Sequence, residues 1–82
     1  MPATDDLLED LRDVVKLLVD EPEAVHLEEI EEDDCIVYEL EVAQDDLGKV
    51  IGRQGRTVRA LRTLLDSRGD QDGERYQLDI LD

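Results

Sequence analysis

The chain has 82 residues, which is enough for one domain with a modest core, since a chain of this size buries only about two-thirds of the surface it exposes when unfolded. Its 24 acidic and 9 basic residues give a formal net charge of -15, and it contains two tyrosines but no phenylalanine or tryptophan. The shortage of aromatic rings argues against the classes of single-strand binders that stack bases on exposed aromatic side chains.

Cysteine content and apolar runs bear on where the protein works. The single cysteine, Cys35, excludes an internal disulfide, and acidic residues occupy the positions near the start where a signal peptide would be basic and then apolar. No apolar run approaches the roughly 20 residues that cross a bilayer. These features predict a reduced, cytoplasmic setting.

The first predicted element is an amphipathic helix over residues 4–20. Its apolar residues repeat with helical spacing, and Pro22 ends it. We expect this helix to contribute packing and no chemistry. Its apolar face is formed by Leu7, Leu8, Leu11, Val14, Val15 and Leu18.

A hairpin is predicted next. Residues 24–31 alternate as a strand until the phase changes at Ile30, which predicts a bulge or an early end. After an acidic turn at residues 31–34, residues 35–42 alternate cleanly, with Tyr38 inward. We expect the two strands to pair antiparallel.

Residues 47–62 form a basic segment in an acidic chain, with five of the nine basic residues and no acid. Apolar spacing predicts a short helix on each side of a turn at Gly52-Arg53-Gln54-Gly55, where glycine permits the positive φ angles of a sharp exit from a helix. Free N–H groups at the start of the second helix, with Arg56 and Arg59 beside them, suit phosphate. Gly48 costs the first helix about 1 kcal/mol relative to alanine, which is explained if a sugar–phosphate backbone lies against it.

The last part of the chain predicts a polar link and a third strand. Residues 67–73 are turn-rich, with Gly69 as the predicted C-cap of the second helix, and residues 75–81 alternate with Tyr76 inward. Because two helices connect the second and third strands, those strands can lie parallel. The order α-β-β-α-α-β therefore predicts one α+β domain over residues 1–82, in which a three-stranded mixed sheet packs on three helices.

One stretch of the chain resembles the signature of KH domains, in which Ile-Gly-x-x-Gly closes the first helix of a pair and an aliphatic residue follows three positions later. It reads Val50-Ile51-Gly52-Arg53-Gln54-Gly55-Arg56-Thr57-Val58. The whole chain resembles the small single-domain bacterial KH proteins of the KhpA (YlqC) type, and its element order fits the type II, prokaryotic-style KH fold. The resemblance implies that a single strand of about four nucleotides lies in a groove between the two helices and the neighbouring strand.

The resemblance also implies a role for individual residues. The glycine turn holds phosphates, Arg56 and Arg59 extend the basic track, and backbone groups of residues 37–39 read base edges. From its position beside the turn, Lys49 is predicted to be either a peripheral phosphate contact or a solvated surface lysine. An apolar floor under the bases is formed by Gly48, Ile51 and Val58. The RNA-binding residues predicted in this way are Gly48, Lys49, Ile51, Gly52, Arg53, Gln54, Gly55, Arg56, Val58 and Arg59.

At the level of cellular function, the resemblance implies an RNA chaperone or post-transcriptional regulator linked to cell-wall synthesis and cell shape. The implied partners are single-stranded RNA and either a second copy of the chain or another KH-containing protein of the Jag/KhpB kind. Neither a cofactor nor a membrane is expected.

Other interpretations of the same residues stay open. Two helices joined by a glycine turn also outline a helix-turn-helix DNA binder, and a KH fold can serve mainly as a protein-interaction module with weak RNA binding. Arg62 either reaches the end of a bound strand or pairs with Asp66. His26 and Cys35 lack a recognised metal-ligand spacing, and no catalytic triad, dyad or P-loop pattern is present, so we expect no enzyme activity and no metal site.

Overall fold

A computed structural model describes the backbone of residues 3–82 and the side chains of residues 7–82. The elements follow the predicted order α-β-β-α-α-β. They are the helices α1 (Ala3–Leu18), α2 (Leu47–Ile51) and α3 (Arg56–Asp72) and the strands β1 (His26–Glu31), β2 (Ile36–Glu41) and β3 (Tyr76–Ile80). Within residues 3–82, none of the helices combines the length and the apolar character needed to span a membrane.

The three strands form one mixed sheet in the order β1-β2-β3. β1 pairs antiparallel with β2, and β3 pairs parallel with β2, with Tyr38 opposite both Glu29 and Leu78. The helices cover one face of this sheet, because the inward residues of every strand share one buried cluster with residues of all three helices. The predicted α+β architecture is confirmed.

The core is aliphatic apart from two tyrosine rings. Tyr38 and Tyr76 are both buried, as predicted, and their ring centroids lie 5.9 Å apart in a tilted arrangement. The buried cluster consists of Leu7, Leu11, Val15, Val25, Leu27, Ile36, Tyr38, Leu40, Val50, Val58, Leu61, Leu65, Tyr76 and Leu78.

The predicted bulge in β1 is wrong. Six consecutive pairs join His26–Glu31 to Ile36–Glu41 without an inserted residue. The change of phase arises because Glu29, not Ile30, takes the inward position beside Tyr38, while Ile30 is half-buried on the outer face. A glutamate on the inner side of an edge strand disturbs the apolar alternation without disturbing the pairing.

The predicted link at residues 67–73 is also wrong, because α3 continues to Asp72. Gly69 is buried inside the helix, and Gly73, with φ 70°, is the C-cap. The N–H groups of Gly73 and Glu74 both donate to the carbonyl oxygen of Gly69, the latter at 2.9 Å. A Cβ on Gly69 would lie 2.5 Å from the carbonyl oxygen of Glu74, so glycine is required there by close packing and not by a turn.

Candidate nucleic-acid interface

The chain passes from α2 to α3 through a four-residue junction, Gly52 to Gly55. The N–H of Gly52 donates to the carbonyl oxygen of Gly48 at 2.8 Å and closes α2. Gly52 then turns out of the helix with φ 80° and ψ 169°, and the N–H of Gly55 donates back to the carbonyl oxygen of Gly52 at 3.1 Å. The two helices are therefore separate elements with a tight turn between them.

Positive φ angles shape this junction. Gly52, Gln54 and Gly55 have φ of 80°, 56° and 71°, in the region that glycine enters without steric cost. A Cβ on Gly52 would lie 2.7 Å from Cβ and 2.8 Å from the backbone N of Thr57, so position 52 is closed to any side chain. At Gly55 the space is open, and the backbone conformation alone favours glycine.

Exposed and positively charged groups surround the junction. Arg53 and Gln54 are exposed to solvent. Arg56 donates to Oε1 of Gln54 at 3.4 Å, and Arg59 donates to the carbonyl oxygen of Gln54 at 3.3 Å, so both guanidinium groups fold back over the turn. The positive end of the α3 dipole lies at the same place. Backbone N–H groups, a helix N-terminus and three arginines thus converge on a surface suited to a polyanion.

The predicted floor residues differ in exposure. Gly48 is exposed, with no atom within 4 Å of the position its Cβ would occupy, and Ile51 is 37% exposed. Val58 is buried at 9% exposure and supports the surface from beneath. Gly48 and Ile51 therefore present an open, uncharged stretch of α2 beside the basic turn.

Lys49 is engaged by carboxylates on the far side of α2. Its ammonium forms an ion pair with the exposed carboxylate of Asp20 and lies 3.4 Å from Oδ1 of the buried Asp46. The hydrogen bond to Asp20 is the main reason that the pKa of Lys49 is raised. A phosphate would have to compete with Asp20 for this cation.

Arg62 marks a part of the surface that sequence reasoning missed. It donates to the carbonyl oxygen of Leu78 at 3.2 Å, on the outer edge of β3, and forms no ion pair with Asp66. Arg75 and Leu81 direct their backbone groups toward β2. The backbone groups of the alternate residues between them therefore point away from β2, to the open edge of the sheet. The outward groups of β3 belong to Tyr76, Leu78 and Ile80.

Backbone groups of residues 37–39 were predicted to read base edges, and this prediction is wrong. These residues lie in β2, which pairs on both sides, so its backbone groups are committed to the sheet. The open edge beside the basic helix is β3. The prediction that β2 pairs with both other strands already implied that its backbone groups are not free to bind bases.

The outer face of the sheet is acidic. Glu28 lies directly opposite Glu39, which lies opposite Asp79 on the other side, and Glu41 follows on the same face. Among the side chains of residues 7–82, no group of three or more His, Cys, Asp or Glu is arranged to hold a metal ion. This face repels a polyanion and leaves the helix junction as the accessible basic surface.

Comparison with known proteins gives a consistent result. A family model described as KhpA/KhpB, KH domain, matches residues 8–80. The chain is 49% identical over 69 residues to the RNA-binding protein KhpA of Chlamydia trachomatis, covering 84% of this chain and 88% of the relative. It is 47% identical over 76 residues to the RNA-binding protein KhpA of Aquifex aeolicus, covering 88% and 96%. No solved structure gives a significant match.

Proposed function

This chain belongs to the KhpA/KhpB family of KH domains, and we propose that it binds single-stranded RNA at the junction between α2 and α3. The observation that carries the proposal is the broken helix at Gly52, which leaves Arg53 and Gln54 exposed at the N-terminus of α3. Relatives that cover most of this chain are named RNA-binding proteins, and the junction supplies the chemistry such a ligand needs.

Within the proposed site, the turn from Gly52 to Gly55 holds phosphates through its backbone and through Arg53. Arg56 and Arg59, already folded over the turn, extend the positive surface along α3. The net charge of -15 repels RNA at long range, but screening confines that repulsion to about 8 Å at physiological ionic strength. Local arginines therefore dominate once the strand is in contact.

The bases lie on the other side of the proposed groove. Gly48 and Ile51 offer an open apolar surface near the buried Val58. The outer edge of β3 offers backbone groups of Tyr76 and Ile80, while Arg62 occupies the carbonyl oxygen of Leu78. Lys49 contributes a peripheral phosphate contact only when it leaves Asp20. With no Phe or Trp and with both tyrosines buried, base stacking on aromatic rings has no part in this proposal.

A charge-reversal variant tests the site. Changing Arg53→Asp and Gln54→Asp together is expected to abolish binding of a short single-stranded RNA while leaving thermal unfolding nearly unchanged, because both side chains are exposed. The matched control is Arg75→Asp with Gln71→Asp, which makes the same residue changes at exposed positions near the other end of α3. Retained RNA affinity in the first variant, or equal loss in the control, would rule out the site.

The salt dependence of binding tests the mechanism. If three or four phosphates are neutralised, log K should fall with log salt with a slope of about -2 to -3, because each single-strand phosphate contributes about -0.7. Raising the salt concentration fourfold should then weaken binding roughly thirtyfold. A slope near zero is incompatible with phosphate recognition.

A binding assay that compares duplex DNA with single-stranded RNA separates the proposed function from two rivals. A helix-turn-helix DNA binder would prefer duplex DNA, whereas the proposed site should prefer single-stranded RNA. The short α2 and the acidic residues Asp66 and Asp70 on α3 make insertion into a major groove unfavourable. A protein-interaction module would bind RNA only weakly, or not at all, as the isolated chain.

The proposed protein partner is a second copy of this chain, docked on an apolar surface between α1 and α3. Val14, Leu17 and Leu64 are 39%, 86% and 61% exposed there, beside a groove whose lining is almost free of charge. Two copies of a strongly acidic chain can approach each other at such a neutral patch. A two-fold axis would bring the patch of one copy against the same patch of the other.

Light scattering with size-exclusion chromatography tests this association. The wild-type chain should run as a dimer, and Leu64→Asp should run as a monomer, whereas Leu81→Asp, at an exposed apolar position elsewhere, should leave the dimer intact. A wild-type monomer would contradict the homodimer, and mixing with a KhpB-type protein would then test the heterodimer.

The proposed cellular role is post-transcriptional regulation as an RNA chaperone, in pathways of cell-wall synthesis and cell shape. RNA binding by the isolated domain supports the first part of this proposal only. Crosslinking in cells followed by sequencing of the attached RNA would identify the targets, and targets unrelated to the cell envelope would contradict the second part.

A further inference from the structure

Asp46 is a buried carboxylate that does not make the hydrogen bond expected of a residue at its position. It is 1% exposed and is the one charged residue buried among residues 7–82. It occupies the N-cap position of α2, where an aspartate ordinarily accepts a hydrogen bond from its own helix, but its side chain makes no such bond. A buried charge is costly unless it is paired, so its partners must lie elsewhere.

Two of those partners belong to the segment between α1 and β1, and the third is Lys49 in α2. Oδ1 of Asp46 accepts the backbone N–H of Asp20 at 3.2 Å, and Oδ2 accepts that of Glu21 at 3.0 Å. The ammonium of Lys49 lies 3.4 Å from Oδ1. Burial alone would raise the pKa of the Asp46 carboxyl, but the two N–H groups and the ammonium together hold the pKa below its usual range. The side chain is therefore ionised at neutral pH and ties the distant segment to the start of α2.

The hydrogen bonds of Asp46 matter for the position of α2 because this helix is short. The helix has five residues, and Val50 is the one residue within it that is buried in the core. A helix fixed at a single point can rotate about that point, whereas a second anchor at its N-terminal end fixes its direction. Gly52 follows directly at the other end, with its N–H bonded to the carbonyl oxygen of Gly48.

We propose that Asp46 is a positioning residue of the RNA site: by anchoring α2 to the segment after α1, it sets the orientation of the glycine turn at residues 52–55. This inference rests on the proposed RNA binding. Asp46 is buried away from solvent and would not touch the ligand. Its effect on affinity passes through α2, and the ion pair with Lys49 strengthens the same anchor.

Asp46→Asn tests the proposal. Asparagine keeps the size and one carbonyl oxygen but directs an amide N–H₂ group toward the second backbone N–H. We expect affinity for a short RNA of randomised sequence to fall about tenfold, which corresponds to about 1.4 kcal/mol. The slope of log K against log salt should stay at the wild-type value, because no phosphate contact is removed. The amide resonances of Gly52 and Gly55 should shift.

The control is Val15→Ala, which removes buried volume from α1 and lowers stability without touching the anchor. Compared at a temperature at which circular dichroism shows both variants folded, Val15→Ala should keep wild-type affinity and wild-type resonances of Gly52 and Gly55. Unchanged affinity and resonances in Asp46→Asn would overturn the proposal, as would an equal loss of affinity in Val15→Ala. If the wild-type chain bound no RNA, the proposed function would fail, but the two glycine resonances would still decide whether Asp46 orients the turn.

Discussion

The two ends of α3 both carry closely spaced glycines at a change of chain direction, but they differ in exposure and in charge. At the first end, Gly52 and Gly55 bracket an exposed turn, and Arg56 and Arg59 fold over it. At the second end, Gly69 is buried against the carbonyl oxygen of Glu74. The acids at the second end are Asp70, Asp72 and Glu74.

The difference shows how the same residue type serves ligand binding in one place and packing in another. An absent side chain leaves backbone open to a partner only if the protein itself does not fill the space. At Gly69 the carbonyl oxygen of Glu74 fills that space and at Gly52 Thr57 fills it, whereas at Gly55 the space is left open. The helix dipole strengthens the contrast, since an anion is favoured at the positive N-terminus and disfavoured at the C-terminus.

Alanine substitutions at the two ends of α3 should show the difference between a binding end and a packing end most clearly. Gly52→Ala places a Cβ against Thr57 at a φ of 80°, so the turn must rearrange. We expect RNA affinity to fall about hundredfold, which corresponds to about 2.7 kcal/mol. Gly69→Ala should instead lower the free energy of unfolding by about 1–3 kcal/mol through overpacking against Glu74. Fluorescence anisotropy and urea denaturation measure the two effects.

The control for this pair is the affinity of folded Gly69→Ala, which should equal that of the wild type. If Gly69→Ala weakened RNA binding as much as Gly52→Ala, the separation between a binding end and a packing end would be wrong.

The acidic end should show a pH-dependent contribution to stability. Tyr76 donates to Oδ2 of Asp72 at 2.6 Å, and Arg68 donates to the same oxygen at 3.1 Å. Tyr76→Phe removes one bond to a charged acceptor and should lower the free energy of unfolding by about 1.5 kcal/mol at neutral pH. Urea denaturation of the two proteins measures this difference.

The sign of the pH effect follows from the pKa of Tyr76. Burial, followed by the bond to Asp72, raises this pKa to about 12, whereas an unfolded tyrosine titrates near 10. The contribution is complete below about pH 10 and is lost as the pH rises toward 12, because the unfolded chain then releases a proton that the folded chain keeps. The difference from Tyr76→Phe should shrink over that range. Burial and Glu29 also raise the pKa of Tyr38, so the variant keeps a residual alkaline slope, and a constant difference up to pH 12 would contradict this account.

Periodicity in the sequence predicted the element order, the mixed sheet and the inward tyrosines, because each depends on neighbours along the chain. The errors fall where distant residues decide. In the sequence Gly69 resembles a helix stop. In the structure it lies within the helix, where the carbonyl oxygen of Glu74 leaves no space for a side chain. The sequence predicts no role for Asp46, because its oxygens accept N–H groups 25 and 26 residues away along the chain. The proposed glycine turn was predictable, since Gly52 and Gly55 are needed for local backbone angles.

Another glycine, Gly48, offers the sharpest separation of folding from binding. It is exposed within α2, has φ outside the left-handed region, and has no atom within 4 Å of its missing Cβ. Gly48→Ala should therefore stabilise the protein by about 0.5–1 kcal/mol through helix propensity alone. If RNA lies against this part of α2, the added methyl group should also weaken RNA affinity by about three- to tenfold, or roughly 0.7–1.4 kcal/mol. Thermal unfolding and anisotropy on the same preparation measure both. A gain in stability with unchanged affinity would show that the strand does not cross α2 at this position, whereas opposite signs for the two effects would be explained only by a ligand that uses the space which the fold leaves empty.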